Sequence, residues 1–323
     1  MNTDSGHGYD ALLLVSFGGP EGMDDVIPFL ENVLRGRNVP RERMMQVARH
    51  YEMFGGVSPI NQQNRNLIAA LRKELDENGP RLPIYWGNRN WHPLLPDTLA
   101  QMAADGVRNA LAFVTSAYSS YSSCRQYLQN IGDAQAAVGP DAPRVEKLRV
   151  FYNHPLFIEA NVDQIRVALD RIEDVNLVFT AHSIPESMAV NCDYAAQLDE
   201  AGGLISHALG IKDWQVVYQS RSGSPSQPWL GPDITDHLRT LHGDRVRNVV
   251  VAPIGFVSDH MEVVYDLDVQ AQNVANELGM KMVRASTAGT HPSFVKMIRE
   301  LMLERINNTV SENICAPDCC RIG

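Results

Sequence analysis

The sequence contains no lysine- and arginine-rich run. Its 28 basic residues are outnumbered by 38 acidic ones, and the formal net charge of the 323-residue chain is −10. Proteins that bind nucleic acids present a basic patch or stripe to the phosphates. The charge balance therefore argues against nucleic acid as a partner.

Long apolar runs are absent as well, since no stretch approaches the roughly 20 apolar residues of a membrane-spanning helix. The start, MNTDSGHGYD, lacks the basic residues and the apolar stretch of a secretory signal. Neither G-x-G-x-x-G nor GxxxxGK[ST] occurs after a predicted strand, which removes the best support for a dinucleotide or ATP enzyme. We expect a cytoplasmic protein without a transmembrane segment.

Cysteine is scarce, with five residues in the chain. Three of them, Cys315, Cys319 and Cys320, lie within the last nine residues. In a reducing compartment an odd number of clustered cysteines favours metal ligation over a disulfide framework.

Short apolar runs that end in Gly, Ser, Pro or His alternate with amphipathic stretches of helical period. The runs predict buried parallel strands at 11–19, 83–88, 110–118, 177–183, 214–220 and 248–256. The amphipathic stretches predict helices at 64–78, 157–172, 195–209 and 266–278. The predicted fold class is α/β and doubly wound. The alternation restarts after a stretch at 132–149 that is rich in Ala, Gly, Pro and charge, which suggests two similar halves.

In such sheets ligands bind beyond the carboxyl ends of the strands. His182 ends a predicted strand in the sequence TAHSIP, although local hydrogen bonds alone often explain a histidine there. The sequence SDHMEVVYDLD follows another strand, and Asp259, Glu262 and Asp266 recur in it at helical spacing. A column of carboxylates is one interpretation, and an acidic helix start capped by Ser258 and Asp259 is the other.

Two further loops are candidates for binding. GGVSPIN at 55–61 forms a turn into a helix, whose amides and Ser58 hydroxyl suit a carboxylate or phosphate. YSSYSSCRQY at 118–127 interleaves hydroxyls with aromatic rings, which suits a flat ligand but also fits an ordinary serine-rich helix start.

Seven motifs in order resemble the ferrochelatase family from end to end: VSFGGPE, HYEMFGGVSPIN, YWGNRNWHP, TSAYSSYSSCRQY, FTAHSIP, YQSRSGSPSQPWLGPD and PIGFVSDHMEVVYDLD. The resemblance implies two similar Rossmann-like domains of the chelatase type, each a parallel sheet flanked by helices, with a porphyrin cleft between them. The first domain would comprise 1–155 together with a C-terminal helix and tail from about 290 to 323, and the second would comprise 156–289.

The implied activity is that of a lyase, a metal chelatase that inserts Fe²⁺ into a porphyrin. His182 matches the family's histidine beside the macrocycle, and Glu262 matches the acid on the opposite wall of the cleft. Metallation removes two pyrrole protons and strips water from Fe²⁺, so a neutral imidazole is wanted as proton acceptor or iron ligand, with carboxylates beside it. A polar path for protons or metal would be formed by Asp259, His260, Asp266 and Asp268.

The resemblance also implies porphyrin contacts. Ser58 and Tyr127 match positions that contact the tetrapyrrole, Arg89 is a further candidate for the propionates, and Trp229 would pack on the cleft wall. Phe17 stands where some Gram-positive ferrochelatases carry a tyrosine that ligates the metal. Phenylalanine cannot coordinate iron, so no protein ligand is expected there.

HYxxFGGVSPIN together with GNRNW looks most like the actinobacterial type of enzyme, which implies coproporphyrin III as substrate and coproheme as product. Charges interspersed at 41–54 also differ from the apolar lip of membrane-bound ferrochelatases. Protoporphyrin IX stays the alternative. A cobalt or nickel chelatase and a non-catalytic heme carrier are further alternatives, and a carrier would not need Glu262.

Several ferrochelatases hold a [2Fe-2S] cluster with three C-terminal cysteines and one from the first domain, which implies Cys124, Cys315, Cys319 and Cys320 as ligands. Adjacent ligating cysteines are uncommon, so Cys192 as a substitute ligand, a zinc site and a disordered tail stay open. The expected partners are the porphyrin, ferrous iron and a downstream heme-pathway enzyme that receives the product. We expect a monomer.

Overall fold

The computed structural model describes residues 8–36, 39–223, 226–309 and 319–321. The chain divides into two compact units. The first unit consists of Met1–Thr115, Gln126–Arg149 and Ile298–Glu312. The second unit consists of Ser116–Arg125, Val150–Met297 and Asn313–Gly323.

The first unit contains a parallel sheet of four strands in the order β2-β1-β3-β4. The strands are β1 (Ala11–Ser16), β2 (Ile84–Asn88), β3 (Asn109–Val114) and β4 (Arg144–Lys147). Leu12 is paired with Ile84 on one side and with Leu111 on the other. Every residue of β1 is buried, as expected of a central parallel strand covered on both faces. β4 lies in the stretch 132–149, where the sequence predicted no strand.

The described residues of the first unit form five helices: α1 (Met23–Val33), α2 (Arg41–Glu52), α3 (Ile60–Asn78), α4 (Leu95–Ala104) and α5 (Gln126–Val138). α3 begins four residues before its predicted start. It buries Leu67, Leu71 and Leu75, whose spacing of four residues places them on one face. The residue after the helix, Gly79, has a φ of +64°, a backbone conformation that favours glycine.

The second unit contains a parallel sheet in the order β6-β5-β7-β8, which repeats the order of the first. Its strands are β5 (Asn176–His182), β6 (Trp214–Gln219), β7 (Asn248–Ala252) and β8 (Lys281–Arg284). Side chains from β5, β6 and β7, among them Val178, Val217 and Val251, meet in one buried core. The two parallel sheets flanked by helices confirm the predicted α/β fold class.

The helices of the second unit are α6 (Pro155–Leu169), α7 (Glu186–Ala189), α8 (Tyr194–Leu209), α9 (Ile234–Gly243), α10 (Met261–Val263), α11 (Gln272–Glu277) and α12 (Pro292–Ile306), of which α12 passes into the first unit after Met297. Two segments of the described chain are π-helical, Tyr121–Arg125 and Val264–Ala271. The predicted helix at 266–278 is thus a π-helical segment followed by α11. Widened turns of this kind occur frequently at functional sites.

Within the described ranges, no helix has the length and apolar character needed to cross a membrane.

Candidate active site

Neighbouring strands of the second sheet bring His182 and the segment that carries Glu262 together. β5 ends at His182 and pairs with β7, and the chain leaving β7 folds back over β5. There the amide of Gly255 donates to the carbonyl oxygen of Thr180 at 3.0 Å. A Cβ atom on Gly255 would lie 2.5 Å from the Cα atom of Ala181, so only glycine permits this approach. α10 then begins six residues further on.

The side chains of His182 and Glu262 are direct neighbours, with 3.5 Å between His182 Nε2 and Glu262 Oε2. The expectation that they occupy opposite walls of a cleft is therefore wrong. The reason is topological, because the adjacent strands β5 and β7 end at the same edge of one sheet. The two side chains are 32% and 49% exposed, so the pair is open to an incoming ligand.

Local hydrogen bonds fix the orientation of the His182 ring. Nδ1 lies 2.5 Å from the carbonyl oxygen of Ser183, which can only accept, so Nδ1 carries a proton. The backbone carbonyl of His182 accepts a hydrogen bond of 3.0 Å from the hydroxyl of Tyr194. Nε2 is thereby left facing Glu262.

The pair is charged in the resting protein. Burial would lower the pKa of His182, but the carboxylate of Glu262 outweighs burial and raises this pKa to about 9. Burial would raise the pKa of Glu262, but the charge of His182 lowers it to about 2. The neutral imidazole expected from the sequence is thus not the resting form, because the adjacent carboxylate stabilises the imidazolium.

His260 caps the helix that carries Glu262. Its Nδ1 accepts a hydrogen bond of 3.2 Å from the backbone N–H of Glu262, which caps the start of α10. Burial lowers the pKa of His260, and an accepting Nδ1 fits the neutral ring. The ring also contacts Phe256 edge-on, with 5.0 Å between the ring centroids.

The remaining acids of the predicted path fall into two groups. Asp266 accepts a hydrogen bond from the hydroxyl of Ser220, and burial raises the pKa of Asp266 to about 7. Asp259 and Asp268 both bind Arg284, at 3.1 Å and 2.6 Å respectively. Two of the four predicted path residues therefore share one guanidinium group, which offsets one of their two negative charges, and the pKa of Asp266 lies near neutral pH.

Three of the predicted porphyrin contacts form a cluster in the first unit. The guanidinium carbon of Arg89 lies 4.5 Å from the ring centroid of Tyr127 and 5.7 Å from that of Phe17. Arg89 Nε donates to the side-chain oxygen of Asn130 at 2.8 Å. The cluster thus presents a cation held between aromatic rings.

Ser58 and Trp229 lie in separate units. Ser58 is 3% exposed, and its amide donates to Pro20 at 2.9 Å. Trp229 pairs through its backbone with Pro185, three residues after His182. Its indole N–H is buried and has no partner among the described residues.

Of the predicted cluster cysteines, Cys124 lies in the first π-helical segment and is 1% exposed, and Cys320 is 4% exposed. Arg125 Nη1 donates to the carbonyl oxygen of Cys319 at 3.5 Å. Cys315 lies outside the described residues. Over the described part of the chain, no group of three or more His, Cys, Asp or Glu side chains is placed to hold a metal ion.

The substitute ligand Cys192 is engaged elsewhere. Its thiol donates to the carbonyl oxygen of Met188 at 3.4 Å, and burial raises the pKa of this thiol. The raised pKa disfavours the thiolate that a metal requires.

Sequence reasoning missed several residues around the pair. Gln219 and Ser220 are the last two residues of the strand predicted at 214–220, so their position at a strand end was a usable signal. Arg284 gave no signal, because it ends the unpredicted strand β8.

The family profile described as Ferrochelatase matches residues 9–306 of the chain. A ferrochelatase of Rhodopirellula baltica is 56% identical, covering 97% of this chain and 93% of its own. A coproporphyrin III ferrochelatase of Nocardia farcinica is 51% identical, with 96% of each chain covered. A second one, of Streptomyces coelicolor, is 47% identical, with 97% and 93% covered.

Solved structures are similar in fold. The sirohydrochlorin chelatase SirB of Bacillus subtilis subspecies spizizenii, in complex with cobalt, has a TM-score of 0.55 at 11% identity, covering 93% of this chain and 96% of its own. CbiX, described as the terminal enzyme for siroheme biosynthesis in denitrifying bacteria, has a TM-score of 0.53 at 12% identity, covering 93% and 100%. At these identities the likeness concerns the chelatase-type fold alone.

Proposed function

Because this chain belongs to the ferrochelatase family, we propose that it inserts ferrous iron into coproporphyrin III to give Fe-coproporphyrin III. A metal chelatase of this kind is a lyase. The observation that carries the chemistry is the ion pair of His182 and Glu262 at the edge of the second sheet. The choice of porphyrin is supported by the relatives in Nocardia and Streptomyces, which are named for coproporphyrin III.

Metallation releases two protons, because Fe²⁺ replaces both pyrrole N–H hydrogens of the porphyrin. Glu262 is ionised at neutral pH, and because the charge of His182 holds its pKa at about 2, it becomes an effective proton acceptor only after His182 has lost its proton. His182 is protonated at rest, so it must lose its proton before Nε2 accepts one or binds iron. A dication approaching the pair lowers the pKa of His182, and the ring, which is 32% exposed, then releases its proton to solvent. The substrate cation itself thus converts His182 into the neutral base.

Asp259, His260, Asp266 and Asp268 make up the path by which protons leave or iron arrives. Asp266 is the exchanging member, because its pKa of about 7 lets it take up and release a proton near neutral pH. His260 lies beside Glu262 and is neutral, because burial lowers its pKa, and so does the charge of His182. Asp259 and Asp268 hold Arg284 and shape the path rather than carry charge along it.

The residues that we propose to contact the porphyrin are Ser58, Tyr127, Phe17, Arg89 and Trp229. The guanidinium of Arg89 supplies a cation for a propionate, and the rings of Tyr127 and Phe17 suit the flat macrocycle. Coproporphyrin III carries four propionates, so a fixed arginine is of more use to it than to a less charged porphyrin.

A [2Fe-2S] cluster on Cys124, Cys315, Cys319 and Cys320 is part of the proposal. Four thiolates are the donor set that such a cluster needs. The contact between Arg125 and Cys319 supports it, because it places residues 319–321 beside the turn that carries Cys124. When bound, the cluster would supply a one-electron redox centre. A zinc site is the alternative for the same thiolates.

The working context that we propose is a cytoplasmic monomer that passes its product to a downstream heme-pathway enzyme. A tetra-anionic porphyrin is polar enough to be exchanged through water.

The test of the proposed substrate is anaerobic insertion of Fe²⁺ followed optically, with coproporphyrin III and protoporphyrin IX offered side by side. Faster turnover of coproporphyrin III supports the proposal. Faster turnover of protoporphyrin IX indicates that the enzyme forms protoheme instead. No turnover of either, with Co²⁺ or Ni²⁺ inserted into a uroporphyrin-derived substrate instead, identifies another chelatase, and tightly retained heme without any insertion indicates a carrier.

A further inference from the structure

Gln219 is a buried amide at the end of β6, directly beside the catalytic strand. It is paired in register with His182, and 1% of its surface is exposed. The motifs used to identify the family site assign no role to it. Its position is unusual, because a fully buried glutamine needs partners for both ends of its amide.

The contacts of Gln219 join the two halves of the catalytic pair. Its backbone carbonyl accepts a hydrogen bond of 2.8 Å from the amide of Ser183, the residue after His182. Its side-chain Nε2 donates a hydrogen bond of 3.0 Å to the backbone carbonyl of Glu262. One residue thus connects the strand that ends in His182 with the helix that carries Glu262.

The second contact falls where the helix changes its geometry. Glu262 lies in α10, and the π-helical segment begins two residues later, at Val264. A donor from outside the helix therefore holds a backbone carbonyl at the start of the widened turn, in the residue whose side chain faces His182.

The amide has one orientation that fits. The carbonyl of Glu262 can only accept, so the NH₂ group of Gln219 must face it. Oε1 then points the other way, buried, with no partner among the described residues. An amide that leaves one end unsatisfied is poorly explained by packing alone, which an apolar side chain of the same length would achieve as well.

We propose that Gln219 is a positioning residue that sets the separation between His182 Nε2 and Glu262 Oε2. This inference rests on the proposed catalytic roles of those two residues. Gln219 acts through the Glu262 backbone and makes no contact with the reacting atoms.

The observed separation of 3.5 Å is longer than an ordinary hydrogen bond, so a small displacement of Glu262 changes how strongly the pair interacts. Misplacing a reacting group by about 1 Å costs up to roughly 100-fold in rate. Loss of the Gln219 donor should therefore affect turnover and leave porphyrin binding alone.

The experiment compares Gln219→Met and Gln219→Leu with the unmodified chain and with Gln215→Met. Methionine has the length of glutamine without a donor, and leucine is a second apolar side chain without a donor. Gln215 lies on the same strand and is exposed, so it is the matched control. We expect kcat to fall about 10- to 100-fold in both Gln219 variants. The porphyrin KM should stay within about twofold, and Gln215→Met should be unchanged.

The ¹⁵N chemical shift of His182 at one fixed pH provides a readout that a merely structural role would not move, and it should change in both Gln219 variants. Unchanged kcat and an unchanged His182 signal would overturn the inference. If Gln219→Met does not fold, Gln219→Asn replaces it, because asparagine keeps the amide but is too short to reach Glu262. We again expect a fall in kcat with an unchanged porphyrin KM.

A parallel His182→Ala variant distinguishes failure of the proposed catalytic pair from failure of the positioning role of Gln219. Normal turnover in His182→Ala refutes the catalytic pair, and the role of Gln219 with it. An inactive His182→Ala beside fully active Gln219 variants refutes the positioning role alone.

Discussion

His182 and Glu262 titrate as one unit, and the sign of each shift sets the pH range over which their attraction supports the fold. The pKa of His182 is raised from 6.5 to about 9, so its contribution is complete below 6.5 and is lost as pH rises through about 9. The pKa of Glu262 is lowered from 4.5 to about 2, so its contribution is complete above 4.5 and is lost as pH falls through about 2. The pair therefore contributes fully between pH 4.5 and 6.5.

Replacing Glu262 by glutamine should lower the pKa of His182 from about 9 to below its ordinary 6.5, because burial is then opposed by less negative charge. The pKa is measured by NMR titration of ¹⁵N-labelled histidine. Glu277→Gln, at an exposed position in α11, is the control and should leave the titration unchanged. A His182 pKa that stays near 9 in Glu262→Gln would show that Glu262 is not its cause.

His182→Ala should reduce iron insertion by at least about 100-fold, since it removes the group that exchanges protons with the pyrrole nitrogens. Porphyrin binding should be largely kept, because Phe17, Arg89 and Tyr127 belong to the first unit and are untouched. Insertion is followed by absorbance and binding by fluorescence quenching. Near-normal turnover would refute the catalytic role of His182.

Among the strands, the central ones and the edge strands β2 and β6 were predictable, whereas the edge strands β4 and β8 were not. β1, β5 and β7 are continuous apolar runs, and each was predicted to within two residues at its start. β4 and β8 read RVEK and KMVR and are the outer strands of their sheets. Edge strands tolerate charge because one side faces solvent, so neither the length nor the composition of these two distinguishes them from loops.

The sequence predicted which residues form the candidate site but not how they are arranged. His182 ends one apolar strand and Glu262 follows another, which the sequence shows. Their direct contact depends on β5 lying next to β7, and strand order is a property of the folded sheet. The π-helical turn after Glu262 has no counterpart in the hydrophobic pattern, which indicates one continuous helix.

Gly255→Ala tests the element that brings these residues together. The added Cβ would meet the backbone of Ala181 at 2.5 Å, so the loop after β7 must lift from β5. We expect a loss of about 1–3 kcal/mol in the free energy of unfolding, measured by denaturant titration, together with reduced insertion. Gly243→Ala is the control, because its Cβ meets nothing within 4 Å. Equal stability of the two variants would contradict the close approach.

For the molecule as a whole, the cysteines give a prediction that is visible by eye. The purified protein should show charge-transfer absorption with bound iron and sulfide, and Cys124→Ser should abolish it. Cys192→Ser should keep the colour, because the Cys192 thiol donates a hydrogen bond to the carbonyl oxygen of Met188. A colourless protein without iron or sulfide would remove the cluster from the proposal.

The two sheets share one strand order, β2-β1-β3-β4 and β6-β5-β7-β8, so β1 and β5 occupy the same place in their respective sheets. β1 ends at Ser16 and is followed by Phe17, whereas β5 ends at His182. The strand β5 thus ends in an ionisable ring, whereas β1 ends in a hydroxyl and is followed by an inert ring. The strand order is shared but the chemistry at the strand ends is not, and exchanging Phe17 and His182 would test whether the chemistry depends on the unit in which the ionisable ring lies.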